Sequence, residues 1–104
     1  MTSPDFDSFR NQALAQGFDE VIERLWQPDA EVPLHTHPFA VSALVVEGGF
    51  CLQTADAQQQ LGPGDRFELA ADVPHAERYG AAGARLWVAR RHPPAAASSR
   101  VLTD

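Results

Sequence analysis

The sequence is poor in the features that mark several common classes of protein. Cys51 is the single cysteine among 104 residues, so the chain cannot form an internal disulfide and a reducing, cytoplasmic location is expected. No apolar run approaches the roughly 18 residues that a membrane span requires. The first residues, MTSPDFDSFR, lack the apolar segment of a signal peptide. We therefore expect neither secretion nor insertion into a membrane.

Positive charge is also scarce. The chain has 8 Lys and Arg residues against 14 Asp and Glu residues, which gives a formal net charge of -6. A net negative charge repels a phosphate backbone, so nucleic-acid binding is not expected. Arg85, Arg90 and Arg91 would form at most a local patch at a solvated strand end. The length fits one compact domain, and a hydrophobic content of 44% is enough for its core.

One helix is predicted near the N-terminus, from Ser3 to Gln16. Ser3 is the expected N-cap, Pro4 the first helical residue, and Gly17 the residue that ends the helix. Helical spacing places four apolar residues on one face, which we expect to pack on the rest of the domain: Phe6, Phe9, Ala13 and Leu14.

The remainder of the chain alternates between strand patterns and turn signals. Strands are predicted within FDEVIERLW, VPLHTH, FAVSALVVE, FCLQT, RFELA, VPHAERY and ARLWVAR. Turns are expected at Gly48–Gly49 and in the segment LGPGD. About seven short strands and one helix pattern predict an all-β barrel or sandwich. We assign residues 1–17 to a helix packed on the barrel, 18–92 to the barrel and 93–104 to a flexible tail.

The strand AVSALVV is apolar on both faces. Val41, Ala43 and Val45 point to one side, whereas Leu44 and Val46 point to the other. One face must fill the barrel, and the other must be covered by the helix, by a second sheet or by another subunit. A homodimer is the expected assembly.

The histidines carry the strongest functional signal. His35 and His37 are two residues apart, so in a strand both imidazoles point to the same side. Neutral imidazole is a common ligand of transition metals, but a site needs a third ligand. His75 is the candidate, and Glu77 shares its strand parity. His92 lies next to the tail and is expected to be exposed.

The spacing of these residues resembles the two motifs of the cupin family. His35 and His37 match the His-x-His pair of the first motif, and Gly48 falls where its last glycine is expected. Gly64 and His75 match the glycine and the histidine of the second motif. The 15 residues between Gly48 and Gly64 are close to the short end for the family. The resemblance implies a double-stranded β-helix, the cupin or jelly-roll barrel, with a metal bound by the three histidines.

The resemblance covers about Asp29 to Tyr79, and the chain departs from it at one ligand. The motif's usual glutamate falls on Val41, or on Ser42 with the longer spacing, and neither is a metal ligand. Other motif positions differ as well: Asp29 and Asp72 replace glycines, Ala70 replaces a proline and Tyr79 replaces an asparagine. The site therefore resembles the three-histidine variants of the family.

Three neutral imidazoles leave a bound divalent ion with its full charge. Such a site favours small anionic ligands and keeps coordination positions open. The expected cofactor is one divalent transition metal ion, Fe, Zn, Ni, Mn or Cu. Glu77 is a candidate ligand or proton acceptor, and the Tyr79 hydroxyl is a candidate to line the cavity. The expected pocket wall comprises Phe39, Val41, Ala43, Phe67 and Trp87.

Three functions remain open at this level. The first is a metal-dependent enzyme, dioxygenase-like or isomerase-like, acting on a small anionic molecule. The second is a non-catalytic binding or sensor domain, similar to the ligand-sensing half of arabinose-type regulators. The third is a barrel whose metal site is vestigial, since several motif residues are replaced. The cupin fold hosts many chemistries, so the fold alone does not choose among them.

Overall fold

The computed structural model describes residues 5–93, which form one helix and six antiparallel strands. Residues 94–104 of the predicted tail lie outside the described residues. The elements are α1 (Phe6–Ala15), β1 (Glu20–Trp26), β2 (Glu31–His35), β3 (Ala40–Gln53), β4 (Gln58–Leu61), β5 (Arg66–Leu69) and β6 (His75–Arg91). No helix within residues 5–93 is long and apolar enough to cross a membrane.

Two long strands, β3 and β6, are shared by two layers of sheet. The first half of β3 pairs with β5 and with the second half of β6, which in turn pairs with β1. The second half of β3 pairs with β4 and with the first half of β6, which pairs with β2. Because β3 and β6 continue from one layer into the other, the layers close around a common interior.

Glycines allow the long strands to bend where they change layer. Gly48 has a φ of 75° and Gly83 a φ of 67°, and a Cβ added to Gly48 would lie 2.0 Å from the carbonyl oxygen of Gly83. The backbones thus cross at a distance that only glycine allows. The prediction of a turn at Gly48–Gly49 was wrong, because these glycines form a bulge within one strand. For this reason FAVSALVVE and FCLQT are one strand, as are VPHAERY and ARLWVAR.

Helix α1 begins later than the sequence suggested. Its N-cap is Asp5, whose side chain accepts a hydrogen bond from the backbone N–H of Ser8 at 2.9 Å. The predicted N-cap Ser3 and first residue Pro4 lie outside the described residues. Gly17 follows the helix with a φ of 97°, as expected of a residue that ends it.

The helix covers the outer face of the β3–β6 sheet. Phe9 and Ala13 are buried there against Leu44, Trp87 and Ala89. Phe6 joins this outer core, but Leu14 is 46% exposed, so its placement on the packed face was wrong. The inner core between the two layers contains Val41, Ala43, Val45, Phe50, Leu52, Leu61, Leu69, Tyr79, Ala84, Leu86 and Val88.

Candidate metal centre

A cavity of about 200 Å³ opens between the two layers. Its polar lining contains the three motif histidines and Glu77, and its walls are mostly apolar. The other lining residues are Arg24, Trp26, Val32, Phe39, Val41, Phe67, Leu69, Tyr79, Leu86, Val88 and Arg90.

The three predicted histidines meet in this cavity. His35 ends β2 and is the cross-strand partner of His75, which begins β6. His37 follows β2, and its ring centroid lies 4.8 Å from that of His75. One ligand nitrogen of each ring lies within 4.8 Å of the other two. Sheet pairing therefore places His75 beside His35, and the segment that follows β2 brings His37 close to both.

A backbone carbonyl fixes the orientation of each ring. Nδ1 of His35 is 2.8 Å from the oxygen of Pro33, Nδ1 of His37 is 3.1 Å from that of Phe39, and Nδ1 of His75 is 2.8 Å from that of Val73. A carbonyl oxygen can only accept a hydrogen bond, so Nδ1 must carry the hydrogen in each ring. Nε2 then keeps its lone pair, which is the arrangement that ligating histidines adopt in metal sites.

Burial favours the neutral, ligating form of His37. The pKa of His37 is lowered, mainly because burial disfavours the charged imidazolium and in part because His75 and His35 are close. His75 is almost fully buried, at 1% exposure. The donor set, three oriented imidazoles in an apolar cavity, fits a divalent transition metal.

Val41 stands on the cavity wall where the motif's carboxylate ligand is expected. Glu77 is near the histidines, with Oε2 3.7 Å from Nε2 of His75, but it does not belong to the converging group. Its other oxygen accepts a hydrogen bond from the Tyr79 hydroxyl at 2.5 Å. Burial, and then this bond, raise the pKa of Tyr79, so its hydroxyl stays protonated and acts as a donor.

Two arginines of the cavity lining each lie over an aromatic ring. The first, Arg90, lies 4.8 Å from the ring of Phe39, which stacks on His37 at 4.2 Å. We call these three residues the His37 flank.

The second stack contacts Tyr79, which bonds to Glu77, rather than a histidine. Arg24 lies 4.6 Å from the ring of Trp26, which stacks on Tyr79 at 4.8 Å. We call Arg24, Trp26, Tyr79 and Glu77 the Glu77 flank.

Part of the predicted pocket wall lines the cavity. Phe39, Val41 and Phe67 line the cavity. Ala43 faces the interior but is fully buried in the inner core and does not line the cavity. Trp87 lies on the outer face, where its indole N–H donates to Glu23 at 2.9 Å and its ring packs against helix α1. Its assignment to the pocket was wrong, because the bulge between Tyr79 and Ala84 reverses the inward parity of β6.

Sequence reasoning missed the contribution of β1 and took Arg90 for part of a solvated patch. Arg24 and Trp26 both line the cavity, and they share a strand face with Ile22, which packs on the inner core. The signal was present in EVIERLW, where an arginine alternates with apolar residues on the inward face. His92 is half-exposed and bonds to Glu20 at 2.9 Å, outside the cavity lining.

Solved structures with the same architecture are cupins. An RmlC-like cupin from Shewanella frigidimarina is 22% identical, with a TM-score of 0.62 over 71% of this chain and 67% of its own. The cupin domain of an XRE-family transcriptional regulator from Enterobacter cloacae is 19% identical, with a TM-score of 0.62 over 78% of this chain and 87% of its own. An oxalate decarboxylase variant from B. subtilis is 21% identical, with a TM-score of 0.64 over 69% of this chain and 20% of its own.

These likenesses show that the chain has the cupin fold, as the motif spacing indicated. No family model matches the sequence, and no curated protein matches it either. At such low identities the neighbours establish architecture alone, and their functions differ from one another: one is an enzyme and another is part of a transcriptional regulator.

Proposed function

We propose that this chain binds one divalent transition metal ion through Nε2 of His35, His37 and His75, and that it acts on a small anionic molecule as a metal-dependent enzyme. The observation that carries the proposal is the anchoring of all three Nδ1 atoms to backbone carbonyls, which leaves three ligand nitrogens directed to one place. Fe, Zn, Ni, Mn and Cu all suit imidazole ligands.

A bound ion would supply Lewis-acid polarisation and open coordination positions for an anionic ligand. Val41, Phe67 and Leu69 give that position apolar surroundings, which strengthen electrostatic attraction inside the cavity and limit access of water. The lack of a ligating carboxylate keeps the centre more positive than a site that includes one, and so favours anions.

Glu77 is the candidate for proton transfer. Because its Oε1 is held by the Tyr79 hydroxyl, Oε2 is the atom that remains to accept or return a proton on the side of His75. Tyr79 acts as a positioning residue in this proposal, since its own hydroxyl stays protonated. A dioxygenase-like or an isomerase-like reaction would each use such a group.

Elemental analysis of untagged protein tests the metal site. We expect close to one equivalent of a transition metal in the wild type and loss of most of it in His35→Ala, because two imidazoles hold an ion far less tightly than three. His92→Ala is the matched control, as it removes a half-exposed histidine outside the cavity and should keep the metal. Equal metal content in all three proteins would remove the proposal and favour a vestigial site.

A non-catalytic sensor is the second candidate, and the regulator domain among the structural neighbours favours it. The two functions differ in how they depend on metal. An enzyme would convert an anion to a product, and this turnover would stop when a chelator removes the metal. A sensor would bind its ligand without changing it. Ligand binding that persists after chelation would support the sensor and count against the metal-dependent enzyme.

The homodimer and the cytoplasmic location remain predictions. Helix α1 already covers the outer face of the β3–β6 sheet, while Leu25 and Leu34 are 65% and 70% exposed on β1 and β2. Sedimentation analysis of the purified protein would test the predicted homodimer. A cytoplasmic location was predicted from the lone cysteine.

A further inference from the structure

We propose that Arg24 binds a second anionic group of the ligand, so that the cavity selects short dicarboxylates over monocarboxylates. This proposal rests on the proposed function, in which the metal centre holds the first anionic group.

Arg24 occupies a place on β1 where an apolar residue would be expected. The inward face of β1 carries Ile22 and Trp26, both of which pack against the inner core. Arg24 lies between them and lines the same cavity as the histidines. A half-buried cation on an apolar strand face has lost part of its hydration, so it gains more than a surface arginine from an anion that reaches it.

The Arg24 guanidinium lies against an aromatic ring. Its carbon lies 4.6 Å from the centre of the Trp26 ring, and that ring is held in turn by stacking on Tyr79. A planar guanidinium supported on an aromatic face keeps its edge N–H groups available for a bidentate bond to a carboxylate. Stacking thus fixes the donor before the ligand arrives, which lowers the entropy lost on binding.

No acidic side chain within residues 5–93 forms an ion pair with Arg24. The other arginine of the cavity, Arg90, is paired with Glu20 at 3.5 Å. Glu77 is the acidic residue among those that line the cavity, and its contacts are with Tyr79 and His75 rather than with Arg24. Arg24 is therefore the cavity cation whose charge is left for a ligand.

The size of the cavity suits a short molecule. Its volume of about 200 Å³ is below the roughly 300–1,000 Å³ of pockets that hold drug-sized ligands. Succinate, with one carboxylate for the metal and one for Arg24, is a suitable probe. Its monoamide, succinamate, has the same number of non-hydrogen atoms and one negative charge fewer, so the pair isolates the effect of the second charge.

Calorimetric titration of the Co²⁺-loaded, untagged protein tests the proposal. We expect wild type to bind succinate about tenfold or more tightly than succinamate, since a charge-assisted bidentate bond is lost with the monoamide. Arg24→Gln should reduce this preference to near one, because succinate loses more affinity than succinamate when the positive charge is removed. Arg24→Lys should fall in between, because it keeps the charge but loses the planar fork.

Arg78→Gln is the matched control. It makes the same change in net charge on β6, but Arg78 does not line the cavity, so the preference should remain. A preference that survives Arg24→Gln, or that falls equally in Arg78→Gln, would overturn the proposal.

The same titrations, repeated while the Co²⁺ absorption spectrum is recorded, distinguish failure of this proposal from failure of the proposed function. If the wild type does not bind Co²⁺, or if no carboxylate alters the Co²⁺ absorption spectrum, the metal centre itself is refuted. If both probes alter the spectrum with equal affinity, the metal centre stands and the role of Arg24 is refuted.

Discussion

The two flanks of the candidate metal centre are built alike but differ in the charge that surrounds their arginines. In each, an arginine stacks on an aromatic ring that contacts a polar residue of the site. In the His37 flank, Arg90 is neutralised by Glu20, which also bonds to His92. In the Glu77 flank, no described residue forms an ion pair with Arg24. The same arginine–aromatic contact therefore contains a paired cation in one flank and, among the described residues, a cation without an ion-pair partner in the other.

Strand register accounts for this difference. Glu20 is the cross-strand partner of Arg90 on the β1–β6 ladder, so their opposite charges lie side by side. Arg24 is four residues further along β1, and its partner is Leu86. A leucine offers no charge, which is why one arginine has a partner within the sheet and the other does not.

The largest expected effect is on the free energy of unfolding. It comes from substituting Gly83, which lies against the backbone of Trp26 in the Glu77 flank. A Cβ at this position would lie 2.3 Å from the carbonyl oxygen of Trp26, and φ is 67°. Gly83→Ala should lower the free energy of unfolding by about 2–4 kcal/mol through steric overlap and backbone strain. Urea denaturation followed by circular dichroism measures this loss.

Gly62→Ala is the control for this substitution, because nothing lies within 4 Å of the added Cβ. Its stability should stay close to that of the wild type. If the two variants were equally stable, the close approach of Gly83 to β1 would not exist in solution, and the Glu77 flank would lose the backbone that supports Trp26.

A smaller effect is expected from removing one hydroxyl of the Glu77 flank. Tyr79→Phe keeps the ring that stacks on Trp26 and Phe50 at 4.8 Å, but deletes the donor to Glu77. We expect a loss of about 1–2 kcal/mol in unfolding free energy, as a partly buried carboxylate loses a hydrogen bond. Co²⁺ affinity should change little, because the anchors of the histidines are untouched.

A double-mutant cycle with Glu77→Gln separates the hydrogen bond from the effect of the substitution itself. If the hydroxyl stabilises the protein through the carboxylate, Tyr79→Phe should cost less in the Glu77→Gln background. An equal loss in both backgrounds would contradict the positioning role of Tyr79.

Some features of the fold and of the flanks could be predicted from the sequence, and others could not. The fold and the meeting of His35, His37 and His75 followed from motif spacing, but strand parity does not account for His37, which lies beyond the end of β2. The continuity of β3 and β6 through their glycines could not be predicted, because Gly48 and Gly83 are as typical of turns as of bulges. A register shift within β6 reverses which residues face inward, so the odd-numbered series of His75, Glu77 and Tyr79 cannot be extended to Trp87.

Arg24 and Arg90 were harder to predict for a related reason. An isolated arginine in a strand pattern is usually solvated, and only pairing with β6 decides which face of β1 turns inward. Once Ile22 and Trp26 are known to pack on the inner core, the inward position of Arg24 follows from alternation alone.

The smallest expected effect is a pH dependence of stability that comes from Glu20, the ion-pair partner of Arg90 in the His37 flank. The pKa of Glu20 is lowered, first by its hydrogen bond with His92 and then by the charge and hydrogen bond of Arg90, against an opposing effect of burial. A carboxyl whose pKa is lower in the folded state stabilises the fold above its unfolded value of 4.5, and this contribution is lost as pH falls through the folded pKa.

Glu20→Gln should therefore reduce the difference in unfolding free energy between neutral pH and the region below pH 4.5, measured by urea denaturation across pH. Because Glu20 is only partly buried, the effect should be small and should shrink further in high salt. Arg24→Gln should leave that pH dependence unchanged, because Arg24 forms no ion pair with a described residue. An equal change in both variants would mean that the two arginines are paired alike in solution, and the asymmetry between the flanks would be lost.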